Sequence, residues 1–238
     1  MKFASPLESH VLFTIGQGSV AVPVTVPVVT TWGIMLVLGI GCWLATRKLS
    51  LRPTRLQAAL ELVVDLIAQQ IRETMETKPD RYLPVIGTFF IFVLIANWSS
   101  LIPGVEPPTA ALETDAALAL LVFASTLWFG MRVLGLRRYF GSFARPSVLL
   151  VPLNLLELFT RSFSLMVRLF GNVMSGVFMI GVVLSLAGLL VPIPLMILEM
   201  LTGAVQAYIF GALAMVFIGS AISEESETQI KPEKETSP

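Results

Sequence analysis

The sequence predicts an all-α membrane protein with five transmembrane helices and one amphipathic surface helix. Three observations carry that reading. Of 238 residues, 55% are hydrophobic and only 13% are charged, and the mean hydropathy is +0.82. A water-soluble domain carries about 25% charged residues. Several apolar stretches approach or exceed the ~18–20 residues that cross a bilayer as a helix. One charged segment between the first two stretches has a helical period rather than strand alternation.

The elements follow in chain order. Residues 1–25 are mixed, and the β-prone run "VAVPVTVPV" at their end is kept from becoming a long helix by its prolines. Residues 27–46 form the first span and end at Arg47 and Lys48. In "RPTRLQAALELVVDLIAQQIRETMETK", Leu56, Leu60, Val63, Ile67 and Ile71 recur at steps of three and four. That period predicts an amphipathic helix over residues 53–77 lying on the membrane surface, with Pro53 in its first turn. Residues 82–102 form a second span, closed by the turn cluster "IPGVEPP". Residues 114–134 form a third, with Arg132, Arg137, Arg138 and Arg145 at and beyond its end. Residues 147–190 then run almost without a breaker to "VPIP", and 194–222 make the last span. The polar tail, 223–238, is expected to be mobile. The whole of 1–238 reads as one membrane domain. At 1.5 Å per residue the 147–190 segment would reach roughly 65 Å, about twice the hydrocarbon thickness, so it must tilt strongly or break.

The basic clusters at 47–55 and 132–145 should both be cytoplasmic. That puts the N-terminus and the "PGVEPP" loop outside and the C-terminus inside, and five spans satisfy both clusters at once. Trp32, Trp43, Trp98 and Trp128 fall near span ends and read as interfacial anchors. The start "MKFASPLESH" lacks the pattern of a removed signal peptide, so the first span is expected to act as the insertion signal. One cysteine, Cys42, excludes an internal disulfide and a multi-cysteine metal site. No glycine-rich phosphate loop is present, nothing points to nucleic acid, and no cofactor or metal is expected. His10 reads as a surface residue.

The chemistry concentrates in "SFSLMVRLFGNVMSG", residues 162–176. Arg168 cannot shed its proton, and at the centre of a membrane helix it costs roughly 2.5–3.5 kcal/mol on insertion scales. As a helix, the 147–190 segment carries Asn154, Glu157, Arg161, Ser164, Arg168, Asn172 and Ser175 at steps of three or four, along one face. Such a stripe normally faces a water-filled cavity or another protein. The last span has a shorter stripe, Glu199, Thr202 and Gln206, beside the small residues Gly203, Ala207 and Gly211. Two polar stripes on adjacent helices could line a path. Alternatively, Arg168 pairs with Glu157 or Glu199 and only holds the bundle together, and Arg161, near the segment's start, snorkels. A secondary cation carrier is a further alternative, although carriers usually show repeated halves and none appears here. A purely structural assembly subunit would not need the full stripe.

"SLMVRLFGN" resembles the signature of subunit a of F-type ATP synthases, the membrane stator beside the rotating c-ring. The resemblance extends through "RYLPVIGTFFIFVLIANWSSLIPGVEPPT", "ALALLVF", "PLNLLELFTRSFSLMVRLFGN" and "LEMLTGAVQAYIFGALAMVFI", in family order over nearly the whole chain. It implies a non-catalytic, ion-translocating subunit of a bacterial plasma-membrane complex. The long tilted helix would lie against the c-ring. Its other partners would be b-type peripheral-stalk subunits, the F1 sector indirectly, the lipid bilayer and a translocated H+ or Na+. It implies that Arg168 is the essential arginine and Asn172 the asparagine one turn on. Gln206 would be the glutamine neighbouring that arginine, Glu199 an ionisable residue of one half-channel, and Asn97 the asparagine before the turn. Asn154, Glu157, Ser164, Ser175 and Thr202 complete the expected ion path. Two positions depart from the family pattern. Val177 stands where a histidine or an acid is common, so Glu199 would act alone or with Ser175. Glu113 and Asp115 replace small polar residues and read either as acids that concentrate cations at the outer mouth or as ordinary loop acids. Protons are the expected coupling ion, with sodium as the alternative.

Overall fold

The computed structural model describes residues 11–15, 22–47, 55–102, 105–135, 151–188 and 191–230. His10, Arg137, Arg138, Arg145, residues 147–150 and the end of the tail lie outside the described residues. Six helices dominate: α1 (Val26–Thr46), α2 (Arg55–Met75), α3 (Leu83–Trp98), α4 (Leu112–Leu134), α5 (Val151–Ala187) and α6 (Ile193–Ile230). Five contain stretches long and apolar enough to span a membrane, in α1, α3, α4, α5 and α6. The chain is a multi-pass, all-α membrane protein, with one addition at its start. Strands β1 (Val11–Ile15) and β2 (Val22–Thr25) pair antiparallel, Val11 opposite Thr25 and Ile15 opposite Val22. Within the β-prone stretch Val22–Thr25 form a strand, and Pro27 then lies in the first turn of α1, where a missing N–H is harmless.

Helices α3, α4 and α6 form the inner bundle, and α5 packs across α4 and α6. One apolar cluster joins Phe89 and Val93 of α3, Leu118 and Val122 of α4, Leu165 and Leu169 of α5, and Ala207 and Phe210 of α6. Small residues on α6 let its neighbours approach: Gly203 lies against Asn97 and Gly211 against Phe90. A second cluster seats the far half of α2. There Ile67, Ile71 and Met75 pack with Ile86, Ile218 and Ile222, and Tyr82 meets Phe129 at 5.0 Å between ring centroids. The apolar stripe of α2 is therefore a packing stripe in its second half, whereas Leu60 in the first half is exposed.

The apolar part of the last helix ends at Ile222, and α6 continues from it into the polar tail as far as Ile230. The expected long segment does not break. α5 is one helix from Val151 to Ala187, ended at Gly188, whose φ of 76° suits glycine. Its 37 residues at 1.5 Å each reach roughly 55 Å, well beyond the ~30 Å of a hydrocarbon core, so strong inclination is required. α4 ends similarly, with Gly135 at φ 80° donating its N–H to the Met131 carbonyl at 2.9 Å.

The tryptophans separate into two kinds. Trp43 and Trp128 are exposed, and each lies under an arginine one turn on: the Arg47 guanidinium at 4.8 Å and that of Arg132 at 5.8 Å. An amphipathic ring under a charged group near a helix end suits an interfacial position. Trp98, half-buried, makes a contact between helices. Its Nε1–H donates to the Met200 carbonyl at 3.1 Å and ties α3 to α6.

Candidate functional site

Leu165, Leu169 and Val173 form the seam of α5, buried at steps of four. Successive helical residues turn by ~100°, which carries Arg168 off that seam. Arg168 is exposed, flanked by exposed Val167 and Phe163. Among the described residues it makes no ion pair and no hydrogen bond. Of the two acids that could have paired with Arg168, Glu157 is engaged elsewhere and Glu199 makes no ion pair with it. Glu157 pairs with Arg161 one turn along the same helix, and the Arg161 guanidinium also sits 5.5 Å from the centre of the Phe217 ring on α6. Arg161 thus belongs to the contact between helices, and Arg168 does not.

Glu199 is the counterpart of that exposed cation. It is only 9% exposed, and neither carboxylate oxygen has a hydrogen-bond partner. Its carboxylate rests on Gly176 of α5: a Cβ at residue 176 would lie 2.5 Å from Cδ and 3.0 Å from Oε2. Ser100 lies beside the carboxylate, but its hydroxyl donates at 2.7 Å to the Asn97 carbonyl. Asn97 in turn donates from Nδ2 to the Gly203 carbonyl at 3.0 Å, and its buried Oδ1 has no partner. Ser100, Gly176 and Gly203 were absent from the site expected from sequence. Glycine offers no chemical group to notice, and its value here is the room it leaves.

α5 and α6 follow one another in the chain, and the Gly176–Glu199 contact fixes their register. Continuing seven residues along each helix brings Gln206 level with Leu169, next to Arg168. Leu169 and Ala207 share the apolar cluster, in keeping with that level. Gln206 is buried. Gly176 lies eight residues beyond Arg168, which separates Glu199 from it by roughly 12 Å along α5.

The other expected residues divide. Ser164 is exposed on the Arg168 side of α5, and so is Ser175, whose hydroxyl donates to the Asn172 carbonyl at 2.9 Å. Asn172 is half-buried with Nδ2 unpartnered, and Thr202 donates to the Glu199 carbonyl at 3.1 Å. Asn154 lies in α5, but its side chain is outside the described residues. Val177 is partly exposed, next to Gly176. The two acids after "TAAL" are not loop acids. Both lie in the first turn of α4, with Glu113 exposed and Asp115 wholly buried.

The sequence that carries these helices matches a known family. The model of the ATP synthase A chain family matches residues 28–219. The chain belongs to that family. It is 54% identical over 219 residues to "ATP synthase subunit a 2" of Bradyrhizobium sp. strain BTAi1, covering 92% of this chain and 96% of the relative. It is 47% identical over 219 residues to "ATP synthase subunit a 2" of Pelobacter propionicus, covering 92% and 95%. To "ATP synthase subunit a" of Albidiferax ferrireducens it is 46% identical over 196 residues, covering 82% and 85%. The match to the ATP synthase A chain model runs from α1 to near the end of the apolar part of α6 and leaves out the N-terminal hairpin.

Proposed function

We propose that the chain is the ion-translocating stator subunit of a rotary ATP synthase, coupling passage of a monovalent cation to rotation of a ring of c subunits. It is non-catalytic by itself; nucleotide chemistry belongs to the F1 sector, reached indirectly, and b-type stalk subunits hold the chain still. It sits in the bacterial plasma membrane with its N-terminus outside and its C-terminus in the cytoplasm. The observation that carries this reading is Arg168, a permanent cation that is exposed on a membrane-spanning helix and has no partner among the described residues.

The physical argument starts from the ring. A carboxylate facing lipid must be neutralised by a bound ion, because an unpaired charge in low dielectric is prohibitive. Beside Arg168 the carboxylate has another partner and can release its ion. At about 4 Å and an effective dielectric of 20, that attraction is about 4 kcal/mol. This is enough to favour release and small enough to be exchanged as the ring turns. The same charge repels a cation that would pass directly from one side to the other. Lysine would serve less well, because burial can lower its pKa until the charge is lost.

Two half-channels meet at this point. The outer one runs by Glu199, Thr202, Asn97 and Ser175 toward Asn172. The inner one runs along Ser164, Glu157 and Asn154. Gln206 sits at the level of the arginine.

The test is Arg168→Ala in membrane vesicles carrying the complete complex. ATP-driven pumping should be lost, and passive leak under an imposed potential should rise. Pumping that survives would reduce Arg168 to a surface residue and remove the mechanism. The ion is settled in the same vesicles with the wild-type complex. Uptake of radioactive sodium that persists under a protonophore assigns Na+, and pumping abolished by the protonophore assigns H+.

A further inference from the structure

Asp115 is the most deeply buried acid among the described residues. It has no solvent exposure, and neither carboxylate oxygen has a hydrogen-bond partner. It lies in the first turn of α4, reached from the short turn Pro108–Ala110. In that turn Thr109 is equally buried, and its Oγ1 is also unpartnered. The turn packs against α1, α3, α4 and α5, so these oxygens lie inside the subunit, not at its rim. Their depth can be placed from the apolar cluster, whose outermost members are Leu118 on α4, Leu169 on α5 and Ala207 on α6. Asp115 is one turn farther toward the α4 N-terminus, and Glu199 is two turns farther toward the α6 N-terminus. Both acids are therefore on the same side of the Arg168 level.

A charged carboxylate cannot remain buried without a partner. With no hydrogen-bond or ion-pair partner among the described residues, Asp115 needs a cation, either as a carboxylic acid or as an ion pair with a metal cation. We propose that Asp115 and the Thr109 hydroxyl form a cation-binding station inside the outer half-channel, upstream of Glu199. The inference rests on the ion-translocating reading above. Asp115 takes up one H+ or one Na+ entering from the outer side and releases the same ion toward Glu199, and Thr109 Oγ1 supplies a neutral oxygen. No other bond is made or broken.

The experiment uses the complete complex and compares Asp115→Asn, Asp115→Glu, Thr109→Ala and Arg168→Ala. Passive uptake through vesicles stripped of F1 is followed with a pH dye and with radioactive sodium, and co-purification of the c-ring reports assembly. Asp115→Asn keeps the side-chain shape. It should assemble and lower the passive rate of the transported ion by about tenfold or more, with Asp115→Glu restoring most of it. Thr109→Ala should raise the cation concentration that half-saturates uptake. The probe that responds identifies the ion as H+ or Na+. An assembled Asp115→Asn complex that conducts at the wild-type rate overturns the station, and it leaves the stator reading intact provided that Arg168→Ala abolishes pumping. If Asp115→Asn does not assemble, half-saturation in Asp115→Glu and Thr109→Ala decides: unchanged values in both overturn the proposal, and shifted values support it.

Discussion

Gly176→Ala is the substitution whose consequence the structure defines most narrowly. The added methyl would lie 2.5 Å from Glu199 Cδ, whereas ordinary contact begins near 3.4 Å. Something must move by about 1 Å, and overpacking of this kind costs about 1–3 kcal/mol. The atoms in the way are the far end of a flexible side chain, so the response expected is rotation of Glu199 away from α5, with the helices staying together. A bias of about 1–3 kcal/mol against the buried carboxylate position lowers its population by about 5- to 150-fold. If that position lies on the ion path, transport should fall within the same range while the complex still assembles.

The assay is ATP-driven pumping in inverted vesicles, with co-purification of the c-ring as the assembly control. Gly39→Ala, in α1 with nothing within 4 Å of the new methyl, serves as the neutral comparison. A cycle with Glu199→Asp sharpens the test, because the shorter acid withdraws from the methyl. The double variant should be less impaired than the two single losses combined predict, as expected of residues in contact. Wild-type pumping by assembled Gly176→Ala, or strict additivity in the cycle, would refute the claim that this contact sets the position of the acid.

Two further outcomes follow from the ties between helices. Asn97→Ala removes the hydrogen bond to the Gly203 carbonyl at 3.0 Å, and thermal inactivation in detergent should report a loss of about 0.6–1.5 kcal/mol. An unchanged midpoint would mean that this bond does not hold α3 to α6. Arg161→Gln removes a pair whose side chains are 38% and 54% exposed, and its contribution should be only about 0–1 kcal/mol. Pumping should persist; its abolition would give Arg161 the role assigned above to Arg168.

The spans were legible because length and apolarity are all a bilayer demands. The α2 period was legible too, since Ile67 and Ile71 do face the bundle. What periodicity cannot supply is the surface that covers a face. It placed Glu157, Arg161 and Arg168 in one stripe, but not the fact that Glu157 is taken by Arg161 while Arg168 is left free. It could not distinguish Trp98, bonded across to α6, from the exposed Trp43. The expected third span already held Asp115 near its start, but no sequence pattern could show that the Pro108–Ala110 turn and the neighbouring helices bury it completely. The sequence also left open whether α5 tilts or breaks. No proline or glycine pair interrupts it, and Gly188 marks where it stops.

In the proposed function, the separation between the charges is itself part of the mechanism. At roughly 12 Å and an effective dielectric of 20, Arg168 and an ionised Glu199 attract by about 1.4 kcal/mol, against about 4 kcal/mol for a carboxylate in contact. Had Glu199 stood one turn from Arg168, the two would have closed into a pair like Glu157–Arg161, and a ring carboxylate would have had to break it. Two turns of α5, fixed by the fit of Glu199 to Gly176, keep the arginine and the acid apart, and in the proposed function this leaves the arginine available to the ring and the acid available to a cation. Each group lacks a partner within the described residues, and on the proposed reading the ring and the moving ion would complete them.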